Sequence, residues 1–222
     1  MIWRVVVNQL LSSLFEPPCA ACKQRLAHPL DGAVCASCWT ALRSTPHLFQ
    51  ASASSGLITS WCAVDHYEGR MKEIVHALKY ERRRSIAAPL GTVMRECAKE
   101  MLRDADIVVP VPLHPLREYR RGFNQADDLA QHLGVPIARI LRRARHTHSQ
   151  IELPKQAREE NVRGAFVLAE THDQPPAGCV AVLVDDVSTT GSTLAACARV
   201  LRAAGVREVR AVTAARVVSG RR

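Results

Sequence analysis

The chain has no apolar run near the roughly 20 residues that a membrane-spanning helix needs, because Asn8, Ser12, Ser13 and Glu16 interrupt its most apolar stretch. No spanning segment is expected. No small-residue cleavage site follows that stretch, and Trp3, Val6, Val7, Leu10 and Leu14 fall at helical spacing. It reads as an amphipathic helix of a cytoplasmic protein and not as a signal peptide. Aromatics make up only 5% of the residues, too few for a surface that grips single strands mainly by stacking their bases. A nucleic-acid role would rest on the net charge of +9. Lysine is also scarce, 5 of 30 basic residues. The arginine fork suits bidentate contact with phosphate or carboxylate, but a GC-rich genome gives the same ratio, so where the arginines lie carries more than their number. There is neither the Gly-Lys pair of a P-loop nor a Gly-x-Gly-x-x-Gly turn, which excludes two common nucleotide-binding patterns.

With 222 residues, 47% of them hydrophobic, the chain fits one ordinary domain and a small appendage. Its eight cysteines are not a disulfide framework. Four form the pattern Cys19-x-x-Cys22, twelve residues, Cys35-x-x-Cys38, the spacing of a structural Zn²⁺ site. Each Cys-x-x-Cys knuckle sets two thiolates on one side of a tight turn, and Pro17, Pro18 and Asp31-Gly32 supply turns around them. Cys62, Cys97, Cys179 and Cys197 read as small buried hydrophobes. A small polar stretch, Gln50 to Gly56, marks a linker. The expected organisation is an N-terminal helix and four-cysteine module over 1–50, a linker over 51–60 and a main domain over 61–222.

Beyond the linker, strand and helix patterns alternate. Trp61 to His66 predicts a strand. Met71, Ile74, Val75 and Leu78 then repeat at helical spacing, and Leu90, Val93, Met94, Cys97 and Met101 predict one further helical stripe. Ile107 to Val111 is a short buried strand, and Ala126, Leu129, Ala130 and Leu133 another helix. Val180 to Val184 ends in two aspartates, Leu194, Cys197, Ala198 and Leu201 continue as a helix, and Val209 to Val217 forms the last strand. The pattern predicts an α/β fold with a doubly wound, mostly parallel sheet.

The chemistry concentrates at Asp185-Asp186-Val-Ser188-Thr189-Thr190-Gly191-Ser192-Thr193, where a strand meets its helix. Open α/β sheets bind ligands at this edge. The turn offers backbone N–H groups, hydroxyls and the positive end of a helix dipole to an anion. Two carboxylates beside a phosphate cup repel most anions but accept hydroxyl hydrogens, so a sugar phosphate suits both halves.

This segment resembles the fingerprint of type I phosphoribosyltransferases. With Val109-Pro-Val-Pro112-Leu113, Arg121-Gly-Phe-Asn-Gln125, Arg158-x-x-Asn161-Val-x-Gly164-Ala-Phe166 and the four cysteines, nearly the whole chain is similar to the ComF/GntX family, which joins a zinc-ribbon-like module to a phosphoribosyltransferase domain. The resemblance implies phosphoribosyl pyrophosphate, or a ribose 5-phosphate ligand, as substrate, with Mg²⁺ accompanying the pyrophosphate. Asp185 and Asp186 would hold the ribose hydroxyls, Ser188, Thr189, Thr190, Gly191, Ser192 and Thr193 the 5′-phosphate, and Pro112, Leu113, His114, Arg117 and Arg121 the pyrophosphate. Arg158 joins the two aspartates as a catalytic candidate, and Lys79 is a further phosphate candidate. Thr189 stands where purine-salvage relatives carry an aspartate, so base-proton chemistry is not implied. The basic stretch 142–163 reads as a loop over an anionic site or a contact for DNA. The family is tied to competence and use of exogenous DNA, so a second reading stands beside the enzyme: a non-catalytic factor that keeps the cup and contacts single-stranded DNA or DNA-processing proteins.

Overall fold

The computed structural model describes residues 17–50, 56–144, 164–170 and 175–217, and shows Trp3 and Val7 as helical. The rest of the expected N-terminal helix, linker residues 51–55 and residues 145–163 lie outside the described residues. Strands β1 (Leu48–Gln50), β2 (Ser60–His66), β3 (Ile107–Pro110), β6 (Val180–Ser188) and β7 (Glu208–Arg216) form one sheet in the order β1-β2-β7-β6-β3. Only β1 runs antiparallel to its neighbour. A separate antiparallel pair joins β4 (Leu141–Arg143) to β5 (Phe166–Leu168). The helices are α1 (Ala36–Ser44), α2 (Gly69–Tyr80), α3 (Ala87–Cys97), α4 (Lys99–Leu102), α5 (Pro115–Arg121), α6 (Gln125–Ala130) and α7 (Ser192–Ala203). No helix among the described residues is long and apolar enough to cross a membrane.

The apolar run of β6 is buried throughout, as a central parallel strand covered on both faces requires. Alternation divides it. Val182 and Val184 pack with Val212, Met71, Ile74, Leu78, Leu90, Met94 and Leu129 on one side, whereas Ala181 and Leu183 pack with Ala211, Leu194, Cys197, Leu201, Ile140 and Phe166 on the other. Helices α2, α3 and α6 therefore cover one face, and α7 with the β4–β5 pair covers the other. At Gly91 a Cβ would come within 2.7 Å of His132 Cβ and 2.9 Å of the Leu129 carbonyl. Glycine there lets α3 approach the end of α6.

Several expectations change in the fold. The stripe from Leu90 to Met101 is two helices, because Ala98 leaves helical torsions (ψ 11°) while its N–H closes α3 on Met94. Helix α6 stops at Ala130, with Leu133 buried in the following turn. β6 does not end before the aspartates. It runs on to Ser188 because β7 accompanies it that far, pairing Asp185 with Thr213 and Ser188 with Arg216. Leu48–Gln50, grouped by sequence with the cysteine module, instead extends the sheet along β2. Leu26, Val34 and Leu42 of that module belong to the same apolar cluster as α2 and α3, and Lys23–Glu73 (2.8 Å) and Arg43–Glu96 (3.1 Å) ion pairs tie the two parts together.

Candidate active site

β6 delivers its last residues to the carboxyl edge of the parallel sheet, and Thr189, Thr190 and Gly191 turn the chain into α7. Gly191 adopts φ 77°, a left-handed conformation that side chains rarely tolerate. A Cβ there would meet nothing within 4 Å, so the turn's torsion, and not crowding, requires glycine. Thr190 Oγ1 lies 2.6 Å from Ser192 Oγ and accepts from the Ser192 N–H at 3.4 Å. Asp185, Ser188, Thr189, Gly191, Ser192 and Thr193 line one open pocket. The first-turn amides of an α-helix have no partner within the helix, and its dipole favours an anion there.

The two aspartates differ in surroundings. Asp186 is buried, and Lys79, from the last turn of α2, places its ammonium 2.9 Å from Asp186 Oδ1. Burial alone would lower the lysine, but Asp186 and then Asp185 outweigh it and hold it above its ordinary value. Lys79 thus comes to the site as the partner of an aspartate. Asp185 accepts the Asp186 N–H at 2.8 Å. Burial first, and the charge of Asp186 second, push its carboxyl up to about 8, against the pull of Lys79.

Two further groups stand at this site: Tyr67, which the sequence reading leaves out, and Arg143, which it places only within the basic stretch 142–163 read as a loop over an anionic site. Tyr67, in the turn after β2, is anchored by its N–H to the Arg216 carbonyl (2.7 Å). Its phenol lies near Lys79 and Asp186, and burial raises its pKa although Lys79 opposes the rise. Arg143, at the end of β4, packs its guanidinium 5.2 Å from the Phe166 ring centre. Burial and then the charge of Arg117 lower its pKa, while Asp185 acts in the other direction. Tyr67 has no local pattern that marks it, because strand pairing and not sequence proximity brings it in.

The stretch after β3 is more structural than its residue types suggest. His114 caps α5, its Nδ1 accepting the Leu116 N–H at 3.2 Å. Pro112 and Leu113 form the link into that cap. Arg117 reaches the electrostatic neighbourhood of Arg143. Arg121 instead lies 5.2 Å from the Tyr80 ring centre and donates to Gln125 Oε1 at 2.8 Å, so it braces the α5–α6 corner. Arg158 lies outside the described residues.

The Sγ atoms of Cys19, Cys22, Cys35 and Cys38 all lie within 4.8 Å of one another. Cys22 and Cys35 are 3.8 Å apart, close to the separation that two ligands of a tetrahedral zinc have when each Zn–S bond is about 2.3 Å. At Cys35 burial works upward, but bonds from Ser37 and Cys38 outweigh it and bring the thiol down to about 6. Burial and then Cys35 push Cys38 up to about 12. The four cannot all be thiolates without a cation among them, so the donor set fits Zn²⁺.

Residues 87–222, more than half of the chain, match the phosphoribosyl transferase domain. The chain belongs to the ComF family of phosphoribosyltransferase-domain proteins. It is 29% identical to Competence protein F of Haemophilus influenzae over 223 residues, covering 90% of this chain and 96% of that one. It is 36% identical to DNA utilization protein YhgH of Escherichia coli K12 over 152 residues, 62% of this chain and 63% of that protein. Among solved structures, orotate phosphoribosyltransferase from Aeropyrum pernix aligns with TM-score 0.37 and 25% identity over 72% of this chain and 70% of that chain.

Proposed function

We propose that this protein binds phosphoribosyl pyrophosphate, or a ribose 5-phosphate, at Asp185–Thr193 and transfers the pentose to an acceptor with release of pyrophosphate. The observation that carries this is the union, at one sheet edge, of a helix N-terminal turn with φ 77° at Gly191 and two adjacent aspartates. The 5′-phosphate sits on the turn's amides and hydroxyls. Asp185 and Asp186 accept the ribose hydroxyl hydrogens, with Lys79 fixing Asp186. Arg117 and Arg143 share the negative charge of the diphosphate. Mg²⁺ bound together with the diphosphate would supply further neutralisation of the leaving group. Zn²⁺ on the four cysteines has a structural part, since the set leaves no open ligand position. The cytoplasm is the proposed compartment, where thiolates persist.

A second activity, binding of single-stranded nucleic acid, is favoured by one surface. The Arg82 guanidinium donates to the Arg120 carbonyl at 3.1 Å, joining two basic segments. Exposed Tyr119 stands beside exposed Arg120, with exposed Arg82 across that contact, a stacking face and cations of a kind suited to a strand. Of the basic stretch 142–163, Arg142 pairs with Glu170 at 3.0 Å and Arg143 lies by the cup. The relatives named for competence and DNA utilization support the same reading.

Pyrophosphate release from phosphoribosyl pyrophosphate with a panel of bases and amines tests the transferase. Turnover with one acceptor class supports it, and no release with any acceptor despite substrate binding favours a non-catalytic cup. For the surface, Tyr119→Ala with Arg120→Ala should weaken oligonucleotide binding and flatten its log–log salt slope by about 0.7, the contribution of one phosphate.

A further inference from the structure

Thr213 is the one polar residue in the buried run Ala211–Ala215 of β7. It is fully buried, and its Oγ1 has no hydrogen-bond partner. A buried hydroxyl left unpaired destabilises a fold, and valine would fill the same space without that penalty. Costly local choices of this kind gather at functional sites. Thr213 stands in register with Asp185 of β6, the acid that lines the cup, and with Ala63 of β2 on its other side. Registered neighbours on adjacent strands lie about 4.8 Å apart and present their side chains to the same face.

We propose that Thr213 is a positioning residue of the cup, whose hydroxyl donates to the ionised carboxylate of Asp185 and fixes it as an acceptor for the ribose hydroxyls. The inference deepens the pentose-phosphate reading and rests on it for the ligand, but the hydrogen bond itself belongs to the protein alone. The groups that face Asp185 are Asp186 on its own strand, Lys79 from α2, Cys197 from α7 and Arg143 from β4. Of these, Asp186 already donates its backbone N–H to Asp185 Oδ1, and the Cys197 thiol is only a weak donor, so neither fills the part of a hydroxyl. In this structure the Thr213 hydroxyl makes no bond to Asp185. Once Asp185 ionises, the hydroxyl is in the adjacent position to answer it.

The test is a ¹³C carboxyl NMR titration of Asp185 in the ligand-free, zinc-loaded protein, wild type against Thr213→Val and Thr213→Ser. A donor to the charged form lowers an acid's pKa. Thr213→Val should therefore raise the midpoint by at least about half a unit, and Thr213→Ser should keep it near wild type. Thr213→Val is expected to fold at least as stably as the wild type, and Thr213→Ala replaces it in the titration if it does not. An unchanged midpoint in the valine or alanine variant overturns the proposal. Calorimetry with ribose 5-phosphate then reads the consequence: weaker binding by the valine variant, with affinity restored by serine. A shifted midpoint in a protein whose wild type binds no pentose phosphate would uphold Thr213 as the donor and count against the pentose-phosphate reading.

Discussion

Asp185 is the residue where burial and function oppose each other most openly. Its carboxyl is pushed up to about 8 from an ordinary 3.8 by burial and by Asp186. A folded-state pKa above the unfolded one means that the folded protein holds the proton more tightly. This contribution to stability is fully present below about pH 4 and is lost as pH rises through about 8. Asp185→Asn removes it, so the variant's melting temperature should depend less on pH than the wild type's between pH 5 and 8.5. A wild type and variant with parallel pH profiles would assign Asp185 an ordinary ionisation. The same residue shows what sequence makes legible. The proposed phosphate turn and its acidic pair are contiguous because one strand end and one helix start build them, so the nine residues from Asp185 to Thr193 stand out as a string. Tyr67 and Thr213 do not, since register between distant strands brings them in, and Arg143 is legible only as part of a basic stretch. His114 and Arg121 have the residue types of anion ligands, yet the structure uses one as a helix cap and the other as a brace.

At the scale of elements, the apolar periods predict β2, β3, β6 and β7 and the helices α2, α3, α6 and α7, but leave β1, β4, β5, α1 and α5 unread. Periodicity reports which residues face the core, not whether the backbone stays helical between them. Met101 and Leu102 remain buried although α3 breaks at Ala98, and Leu133 remains buried beyond the end of α6. Burial was legible there and continuity was not. β1 has three residues and no period long enough to read; its place is set by pairing with β2. The α3–α6 contact supplies a test. A Cβ at position 91 would meet backbone, the Leu129 carbonyl at 2.9 Å, as well as His132, and backbone cannot rotate aside. Gly91→Val should therefore destabilise the protein by about 1–3 kcal/mol, read as a lower urea midpoint at unchanged slope. An unshifted midpoint would mean that α6 yields without penalty.

Over the whole molecule, the cysteine module and the sheet domain are joined more closely than the small polar linker implies. Leu26, Val34 and Leu42 share a core with Ile74, Leu78 and Met94, and two ion pairs span the contact. Composition marks a change of chain character at residues 50–56, but it cannot report what packs against what. Metal loss should consequently be felt beyond the module. Cys35→Ser, or chelation of Zn²⁺, should lower the temperature of a single cooperative unfolding transition. Two separate transitions, with the upper one unmoved, would show that the module is an independent unit. The central claim concerns the cup, and calorimetric titration of phosphoribosyl pyrophosphate with Mg²⁺ tests it most directly. The wild type should bind, and Asp185→Asn with Asp186→Asn should lose at least about tenfold in affinity, since each hydrogen bond to a charged group contributes about 1.5–3 kcal/mol. Equal binding by wild type and the double variant, or no binding by the folded, zinc-loaded wild type, would contradict the account.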